Sequence, residues 1–246
     1  MFSFLKKKKT PLSLCFSTDI HCHVVPGIDD GSPDAQTSAD LVERMQRWGI
    51  DRIIASPHVT QITFENTPDI LDPALEELND ELRRRGNPIE VLHSAEYRID
   101  DFFREQLEKG VIMPYPNKYI LIENSFMQEP WNLEQIIFDL QVKGLRPILA
   151  HPERYTYYYN KLSRYETLHN AGALFQVNVL SLAGHYGKPE KKVAETLIEK
   201  GLVDFLGTDL HNMRHADVID EYLCTKDARV HFDALRGKIM NDRAFI

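Results

Sequence analysis

Short apolar runs recur seven times along the chain, each about the length of a buried strand. Several lack strict alternation of apolar and polar residues, which is typical of strands whose two faces are both covered. We therefore predict seven strands, at the runs "FSTDIH", "RIIASPH", "IEVLHSAE", "YILIE", "PILAH", "ALFQVN" and "VDFLGTD".

Segments with helical periodicity lie between these runs. In "SADLVERMQRWG" the apolar residues share one helical face, and Gly49 stands where a helix would stop. "PWNLEQIIFDLQVKG" is predicted to form a helix that begins at Pro130 and ends at Gly144. "PEKKVAETLIEKG" predicts another helix before Gly201. The apolar faces of the first and last of these helices are Leu41, Val42, Met45 and Trp48, and Val193, Ala194, Leu197 and Ile198.

The alternation of strand and helix, about seven times, predicts an α/β fold with a mainly parallel sheet and right-handed crossovers. Closed into a ring, this sheet is a TIM-like barrel with one unit fewer; left open, it is a doubly wound sheet. The chain of 246 residues is 43% hydrophobic and 27% charged, without an internal repeat or low-complexity linker. We expect a single domain at residues 16–246, preceded by a basic extension at residues 1–15.

Histidines and carboxylates stand at the ends of six of the seven predicted strands; only the sixth, ending near Asn178, lacks one. A single such residue usually makes a hydrogen bond in a loop. A barrel brings its strand ends together, so six coincidences indicate a metal centre at one mouth. The candidate ligands there and in the adjoining loops are His21, His23, Asp30, His58, Glu96, Glu123, His151, Asp209 and His211.

The spacing of His21 and His23 supports this interpretation, because residues two apart on a strand point to the same face. Cys22 between them points the other way and is expected to be a small buried apolar residue. The candidates are too many for one ion and fit two or three ions with bridging carboxylates. Imidazoles combined with several oxygen ligands favour manganese or iron over a closed zinc site.

Charge and cysteine content narrow the class of protein. The net charge of -8 argues against nucleic-acid binding as the main purpose. The three cysteines are too few and too scattered for a disulfide framework. No apolar run approaches the ~20 residues of a membrane helix, and the amino terminus lacks the core of a signal peptide. We expect a cytoplasmic protein in which Lys6–Lys9 form a solvated tail, with contact to an anionic membrane surface as the alternative.

The cysteines also exclude one kind of phosphatase chemistry. A cysteine-dependent tyrosine phosphatase needs a Cys followed six positions later by Arg, so that thiolate and guanidinium bind one phosphate. The residues six positions after Cys15, Cys22 and Cys224 are His21, Ile28 and Val230.

Six motifs occur in order between Thr18 and Asn212: "DIHCHVVPGIDDG", "IIASPH", "AEYRID", "YILIEN", "ILAHPERY" and "GTDLHN". They resemble the polymerase and histidinol phosphatase (PHP) family of metal-dependent phosphoesterases. The closer likeness is to its bacterial protein-tyrosine phosphatase branch, associated with capsular and exopolysaccharide synthesis. The pairing of "DIHCH…PGIDDG" with "AHPER" makes the resemblance specific. "IEN" departs from the more usual "IEF" at Asn124, which leaves the ligands intact.

The resemblance implies a distorted (β/α)7 TIM-like barrel with three divalent ions, usually manganese, with iron or zinc as alternatives. Arg154 and His151 would be catalytic, with Arg154 on the phosphate. Carried over by position, the metal sets would be His21, His23, Glu96 and Asp209; Glu96, Glu123 and His151; and Asp30, His58 and His211.

The resemblance also implies a reaction and a partner. A metal-bridged water or hydroxide would attack the phosphorus of phosphotyrosine while the metals and Arg154 neutralise the developing charge. The substrate would be a phosphotyrosine protein, in particular a bacterial tyrosine kinase of polysaccharide synthesis. Arg98 and Tyr155 are further candidates for substrate binding; their alternatives are a surface salt bridge for Arg98 and aromatic packing for Tyr155 and its neighbours in "ERYTYYYNK".

Two other functions remain open at this point. The first is hydrolysis of histidinol phosphate or another small phosphomonoester by the same site. The second is a metal-stabilised binding module that docks on the polysaccharide kinase machinery without turnover. The first differs only in substrate, whereas the second would be expected to carry a broken ligand set, and this sequence retains every candidate position.

Overall fold

A short parallel strand forms within every one of the predicted apolar runs. The computed structural model describes residues 11–245, so the Lys6–Lys9 run lies outside the described residues. The strands are β1 (Thr18–Asp19), β2 (Arg52–Ala55), β3 (His58–Val59), β4 (Val91–His93), β5 (Glu96–Arg98), β6 (Tyr119–Glu123), β7 (Arg146–Ala150), β8 (Leu174–Asn178) and β9 (Phe205–Gly207).

Two of the predicted runs bend in the middle, which separates β2 from β3 and β4 from β5. Hydrogen bonds nevertheless continue across both bends. The Ser94 N–H donates to the Ala55 carbonyl at 2.8 Å, and the Glu96 N–H donates to the Pro57 carbonyl at 2.9 Å. Pro57 has no N–H with which to continue the ladder, so the second run cannot stay a regular strand through this position.

The strands form a curled sheet whose two ends meet. The order is β1-β2-β4 in one part and β3-β5-β6-β7-β8-β9 in the other, and every pairing is parallel. Just beyond β1 and β9, the Asp209 N–H donates to the His21 carbonyl at 2.7 Å and the His23 N–H donates to the Leu210 carbonyl at 2.9 Å. The prediction of a distorted seven-unit TIM-like barrel is confirmed, and the open doubly wound alternative is wrong.

Helices alternate with the strands along the chain. None of those within residues 11–245 is long and apolar enough to cross a membrane. They are α1 (Ala35–Arg47), α2 (Pro68–Arg84), α3 (Asp101–Lys109), α4 (Leu133–Val142), α5 (Leu162–Asn170), α6 (Val179–Ala183), α7 (Lys188–Lys200), α8 (Met213–Leu223) and α9 (Lys226–Leu235).

The helix ends follow from capping and burial. Asp34 caps α1 by accepting a hydrogen bond from the Thr37 N–H, and the predicted apolar face of α1 is buried throughout. The prediction that α4 begins at Pro130 is wrong. Leu133 is its first residue and the first of this segment to pack in the core, whereas Trp131 is 91% exposed and has no packing that would hold it in a helical turn.

Alternate strand residues form two layers of core. Residues that point into the barrel, such as Ile54, Leu121, Ile148 and Phe205, pack with Phe245 from the end of the chain. Their neighbours that point outward pack beneath the helices in a larger cluster. The barrel is therefore filled with side chains below its mouth, and the polar residues at the strand ends lie above an apolar floor.

The segment after α9 fastens the barrel at the end opposite the histidines. The Asn241 side chain donates to the carbonyls of Thr18 (3.0 Å) and Leu206 (2.8 Å), and it accepts a hydrogen bond from the Leu206 N–H (3.0 Å). One buried side chain thus ties β1 to β9. At the other end of the chain, Leu14 of the predicted extension is buried, and its N–H donates to the Trp48 carbonyl at 2.8 Å.

Replacing Asn241 tests the importance of this fastening. We expect Asn241→Ala to lower the free energy of unfolding by about 3 kcal/mol, because it leaves buried backbone groups of two strands without partners. Urea unfolding followed by circular dichroism measures the change. The control is Arg229→Ala on the exposed side of α9, for which we expect a change within ~0.5 kcal/mol. Equal stability of the two variants would contradict the prediction.

Candidate metal centre and active-site cleft

Two histidines and two carboxylates converge at the mouth of the barrel. The Nε2 atoms of His21 and His23 lie 3.3 and 3.5 Å from Glu96 Oε2, and each lies 3.4 Å from Asp209 Oδ1. All four side chains are buried, and the two Nε2 atoms and Glu96 Oε2 make no hydrogen bond within the described residues. Buried polar atoms without partners are costly. A divalent metal ion among these imidazole and carboxylate donors would satisfy all of them.

The orientation of each ring is set by a hydrogen bond at its other nitrogen, Nδ1. His21 Nδ1 lies 2.6 Å from Gln176 Oε1, and His23 Nδ1 lies 2.9 Å from Asp29 Oδ2. Metal-binding histidines are commonly held in this way. Neither Gln176 nor Asp29 was among the sequence candidates. Their signals were a polar residue inside the apolar run "ALFQVN" and the first aspartate of "GIDDG".

Glu96 connects this cluster to a second one. Its Oε1 lies 3.0 Å from His151 Nε2, and its Oε2 lies 3.0 Å from His58 Nδ1. Glu123 Oε1 lies 3.5 Å from the same His151 nitrogen, while Glu123 Oε2 accepts a hydrogen bond from Arg98 Nε at 2.7 Å. Arg98 therefore pairs with a buried carboxylate in the site, not with a group on the outer surface.

The remaining candidates lie at the outer edge of the cluster. Asp30 Oδ1 is 3.5 Å from His58 Nε2 and 3.6 Å from His211 Nε2. The structure thus brings all nine predicted residues together. The distances divide them into overlapping groups: His21, His23 and Glu96; His21, His151 and Asp209; His58, Glu96 and Glu123; and His23, Asp30, His58 and His211.

The loop after β1 explains how His23, Asp29 and Asp30 reach one site. It folds back on itself through hydrogen bonds from the Ser32 N–H to the His23 carbonyl (3.0 Å) and from the Gly27 N–H to the Ser32 carbonyl (2.8 Å). At Gly31 a Cβ atom would lie 2.2 Å from the His23 carbonyl oxygen, so only glycine fits this close approach. The last glycine of "PGIDDG" is therefore a backbone requirement of this loop.

Neighbouring charges lower the pKa values of Glu96 and Asp209 and favour their ionised forms. Burial by itself raises the pKa of Glu96, but the charges of His21 and His58 outweigh it and hold this pKa well below its usual range. Burial lowers the pKa of His21, yet the neighbouring carboxylates Glu96 and Asp209 prevail and raise it to about 9. Buried negative charge in the cluster thus requires cations, either protons on the rings or metal ions.

Two of the site residues adopt strained backbone conformations. His151 has φ 32° and Asp209 has φ 51°, both in the left-handed region that residues other than glycine rarely occupy. Each follows the end of a strand, β7 or β9, and the turn directs its side chain into the barrel mouth. Strain of this kind concentrates at functional sites because the surrounding contacts hold it in place.

Arg154 is held in a fixed position at the edge of the cluster. Its Nη1 donates to Asp209 Oδ2 at 3.0 Å, and its guanidinium lies over the rings of Tyr186 and Phe126, 4.0 and 4.9 Å from their centroids. The Tyr186 hydroxyl and the Asn178 amide donate to the same Asp209 oxygen at 3.0 and 2.6 Å. The sixth predicted strand, which offers no candidate ligand, thus supplies an amide that orients the candidate ligand Asp209.

Above the cluster lies an open cleft of about 590 Å³. Its lining includes Arg98, Arg154 and His151 together with the aromatic rings of Phe64 and Phe126. The positive guanidinium groups, the donor cluster and the aromatic walls therefore face one cleft, which suits a small anionic group attached to a ring.

Tyr155 does not face this cleft, so the prediction that it binds substrate is wrong. Its ring is fully buried, its hydroxyl donates to the Ala150 carbonyl at 3.0 Å, and it accepts a hydrogen bond from the Asn124 N–H at 2.9 Å. The alternative of aromatic packing is the correct one. Asn124, at the position usually aromatic, donates its side-chain amide to the Tyr158 hydroxyl at 3.2 Å and so joins the same cluster.

Fold and site together define an α/β barrel with a buried histidine and carboxylate cluster whose groups could hold metal ions. The chain belongs to the family described as capsular polysaccharide synthesis, CpsB/CapC, whose model matches residues 17–220. The PHP resemblance and its tyrosine phosphatase branch are thereby confirmed as the family of this chain.

Relatives of known name agree with this assignment. Over 197 residues the chain is 37% identical to the tyrosine-protein phosphatase YwqE of Bacillus subtilis (strain 168), covering 80% of this chain and 78% of the relative. It is 27% identical to the putative tyrosine-protein phosphatase CapC of Staphylococcus aureus, covering 92% and 89%.

A solved structure agrees as well. It comes from crystal structures of YwqE from Bacillus subtilis and CpsB from Streptococcus pneumoniae, which are described as unique metal-dependent tyrosine phosphatases. It matches 90% of this chain and 95% of its own, with 32% identity and a TM-score of 0.74.

The hydrogen bond between Gln176 and His21 gives a test of the cluster. We expect Gln176→Met, which keeps the side-chain volume, to weaken Mn²⁺ binding about tenfold to a hundredfold, because the His21 ring loses its orienting partner. Isothermal titration calorimetry on chelator-treated protein measures the affinity, and a thermal melt checks the fold. Gln135→Ala, on the exposed face of α4, is the control. Equal affinity for the wild type and Gln176→Met would contradict the role assigned to this bond.

Proposed function

We propose that this protein is a metal-dependent protein-tyrosine phosphatase. The observation that carries the proposal is that nine metal-type ligands cluster at one barrel mouth, where six of them line a single cleft together with a fixed arginine. The names of the relatives support the same reaction. The barrel mouth, where these groups meet, is also where enzymes of this architecture carry their chemistry.

We propose that three divalent metal ions, in the cell most often manganese, occupy the cluster. Support comes from the buried atoms without hydrogen bonds and from the overlap of the groups through Glu96 and the histidines. Bound there, such ions lower the pKa of water and neutralise charge on a phosphoryl group. The residues proposed to hold them are His21, His23, Asp30, His58, Glu96, Glu123, His151, Asp209 and His211.

The protein's own groups would position the phosphotyrosine. Arg154 presents a guanidinium that is pinned by Asp209 and by two aromatic rings, so little ordering remains to be done when a phosphate arrives. Guanidinium groups bind phosphate oxygens by paired hydrogen bonds and stabilise the charge that develops in transfer. Phe64 and Phe126 line the same cleft and offer aromatic surface to the phenyl ring.

The cysteines support a mechanism without a thiolate. Cys22 is fully buried, and burial raises the pKa of its thiol well above the usual value. Burial also raises the pKa of Cys15, to about 12. None of the three cysteines, all within the described residues, lines the cleft. The groups in the cleft are therefore suited to direct hydrolysis and not to a cysteinyl-phosphate intermediate.

We propose that the substrate is a phosphotyrosine protein and, given the family, a bacterial tyrosine kinase of capsule or exopolysaccharide synthesis. Such a kinase draws its phosphoryl group from ATP, so we place the reaction in the cytoplasm. We also propose that residues 16–246 form a single domain. Asp242 supports this, because its Oδ1 accepts hydrogen bonds from the N–H groups of Ser17 and Thr18 at 2.8 Å and joins the segment after α9 to the start of β1.

Alanine substitution tests the two proposed catalytic residues. We expect Arg154→Ala and His151→Ala each to lower phosphotyrosine turnover by about a hundredfold or more, because each removes a group that faces the phosphate. Melting temperatures measured beside the rates show whether the fold is kept. Arg83→Ala on the exposed face of α2 is the control and should keep its rate. Near-normal turnover in both cleft variants would contradict the assignment of Arg154 and His151 as catalytic residues.

A paired assay tests the reaction itself. Phosphate release is measured from a phosphotyrosine peptide and from histidinol phosphate, with Mn²⁺ and again after chelation. We expect release from the peptide to be preferred and to be lost on chelation. Preference for histidinol phosphate would assign the cleft to small phosphomonoesters, and no release from either would favour the non-catalytic binding module.

A further inference from the structure

A second cavity of about 370 Å³ opens beside the active-site cleft. The two share their walls: in each of the segments 60–61, 98–99 and 125–126, one residue lines the cleft and its neighbour lines the second cavity. We call this second space the side cavity. Its lining includes Gln61, Asp100, Asp101, Arg104, Met127 and Trp131.

Three large apolar side chains at or near the side cavity are exposed to solvent. Trp131 is 91% exposed and Met127 is 88% exposed, and both line it. Ile62 is 89% exposed and lies between Gln61 of the side cavity and Thr63 of the cleft. Apolar side chains clustered in this way on a protein surface mark a site of contact with another molecule.

The backbone of Ile62 is an independent sign of function. Its φ of 71° lies in the left-handed region, where a β-branched residue is an outlier. Hydrogen bonds on either side, between Thr60 and Phe64 and from the Ile62 N–H to Glu65 Oε1 at 3.0 Å, hold the loop tip in this shape. The strained backbone thus presents an apolar side chain to solvent, in a loop whose other residues line both cavities.

The charge of the side cavity restricts what it would bind. Asp100, Asp101, Glu129 and Arg104 line it. Asp101 pairs with Arg104 at 3.4 Å and Glu129 pairs with Arg164, which leaves Asp100 as a carboxylate without an ion pair among the described residues. Asp100 is fixed by hydrogen bonds from the N–H groups of Gln61 (2.8 Å) and Phe103 (2.9 Å). The side cavity is therefore acidic and apolar, whereas the cleft beside it carries Arg98 and Arg154.

We propose that the side cavity binds the residues next to phosphotyrosine in a protein substrate, with an apolar residue against Trp131 and Met127 and a basic residue against Asp100 and Asp101. This proposal rests on the proposed function. When a phosphotyrosine ring occupies the cleft, its main chain lies at the mouth. At about 3.3 Å per residue, an extended peptide enters the neighbouring cavity within two or three residues. The cavity thus selects protein substrates over free phosphotyrosine.

The test compares a small substrate with two phosphotyrosine peptides. The small substrate, p-nitrophenyl phosphate, fills only the cleft. In one peptide, each side of phosphotyrosine carries a leucine and a lysine. In the other peptide, each side carries a glycine and a glutamate. We expect the wild type to prefer the first peptide by about tenfold in kcat/KM, since its side chains match the cavity in polarity and charge.

The variants remove the apolar contacts and the charge separately. Met127→Ala combined with Trp131→Ala should lower kcat/KM for the leucine and lysine peptide about tenfold, mainly through KM, and leave p-nitrophenyl phosphate within about twofold. Ile62→Asn, which suits the left-handed backbone, should act in the same direction without loss of stability. Asp101→Lys, at an exposed position, should shift preference toward the glutamate peptide.

Phe138→Ala is the matched control, because Phe138 is an exposed aromatic residue on α4 that lines neither cavity. It should leave all three substrates unchanged. Equal effects of the double variant on peptides and p-nitrophenyl phosphate, or no effect on either, would overturn the proposal. A double variant that changes only the sedimentation coefficient would assign the surface to self-association instead. Hydrolysis of p-nitrophenyl phosphate without peptide discrimination overturns this proposal alone, whereas no hydrolysis of any substrate overturns the phosphatase proposal too.

Discussion

The buried carboxylate of Glu96 is the constraint around which the upper half of the barrel is organised. Four histidines from the ends of three predicted strands, two of them after β1, lie within 3.5 Å of its oxygens. A buried charge is tolerated only when it is compensated closely. Each strand end must therefore arrive at the correct height and orientation, and the closure of the ring between β1 and β9 is what allows the first histidines to meet the last aspartate.

Groups without metal-binding chemistry hold this cluster in place. Gln176 and Asn178 of β8 orient His21 and Asp209, and Asp29 orients His23. The Tyr186 hydroxyl donates to Asp209, and its ring packs against the Arg154 guanidinium. The site thus depends on a rigid shell whose members fix tautomer, ring plane and arginine position before a ligand binds.

The backbone strain and the unpaired buried atoms at the mouth destabilise the fold, and packing and hydrogen bonds at the opposite end of the barrel offset them. His151 and Asp209 are held in left-handed conformations, and several buried side-chain nitrogen and oxygen atoms lack hydrogen bonds within the described residues. Below them, alternate strand residues and Phe245 fill the barrel, and Asn241 bonds β1 to β9. Stability and chemistry are thereby divided between the two ends, as is typical of barrels of this kind.

The sequence by itself determined seven strand and helix units, the buried face of α1 and the nine candidate ligands, because periodicity and strand-end residues are local properties of the chain. Periodicity left the ring and the open sheet as alternatives, and the contacts between β1 and β9 decided for the ring. It placed the start of α4 too early and assigned Tyr155 to the substrate, since burial depends on what packs nearby. Gln176 and Tyr186 gained their roles only from neighbours far away in sequence, and Asp29 reaches His23 only because the loop after β1 folds back. The clamp on Arg154 and the side cavity were likewise decided by tertiary structure, because both arise where loops that follow different strands come into contact.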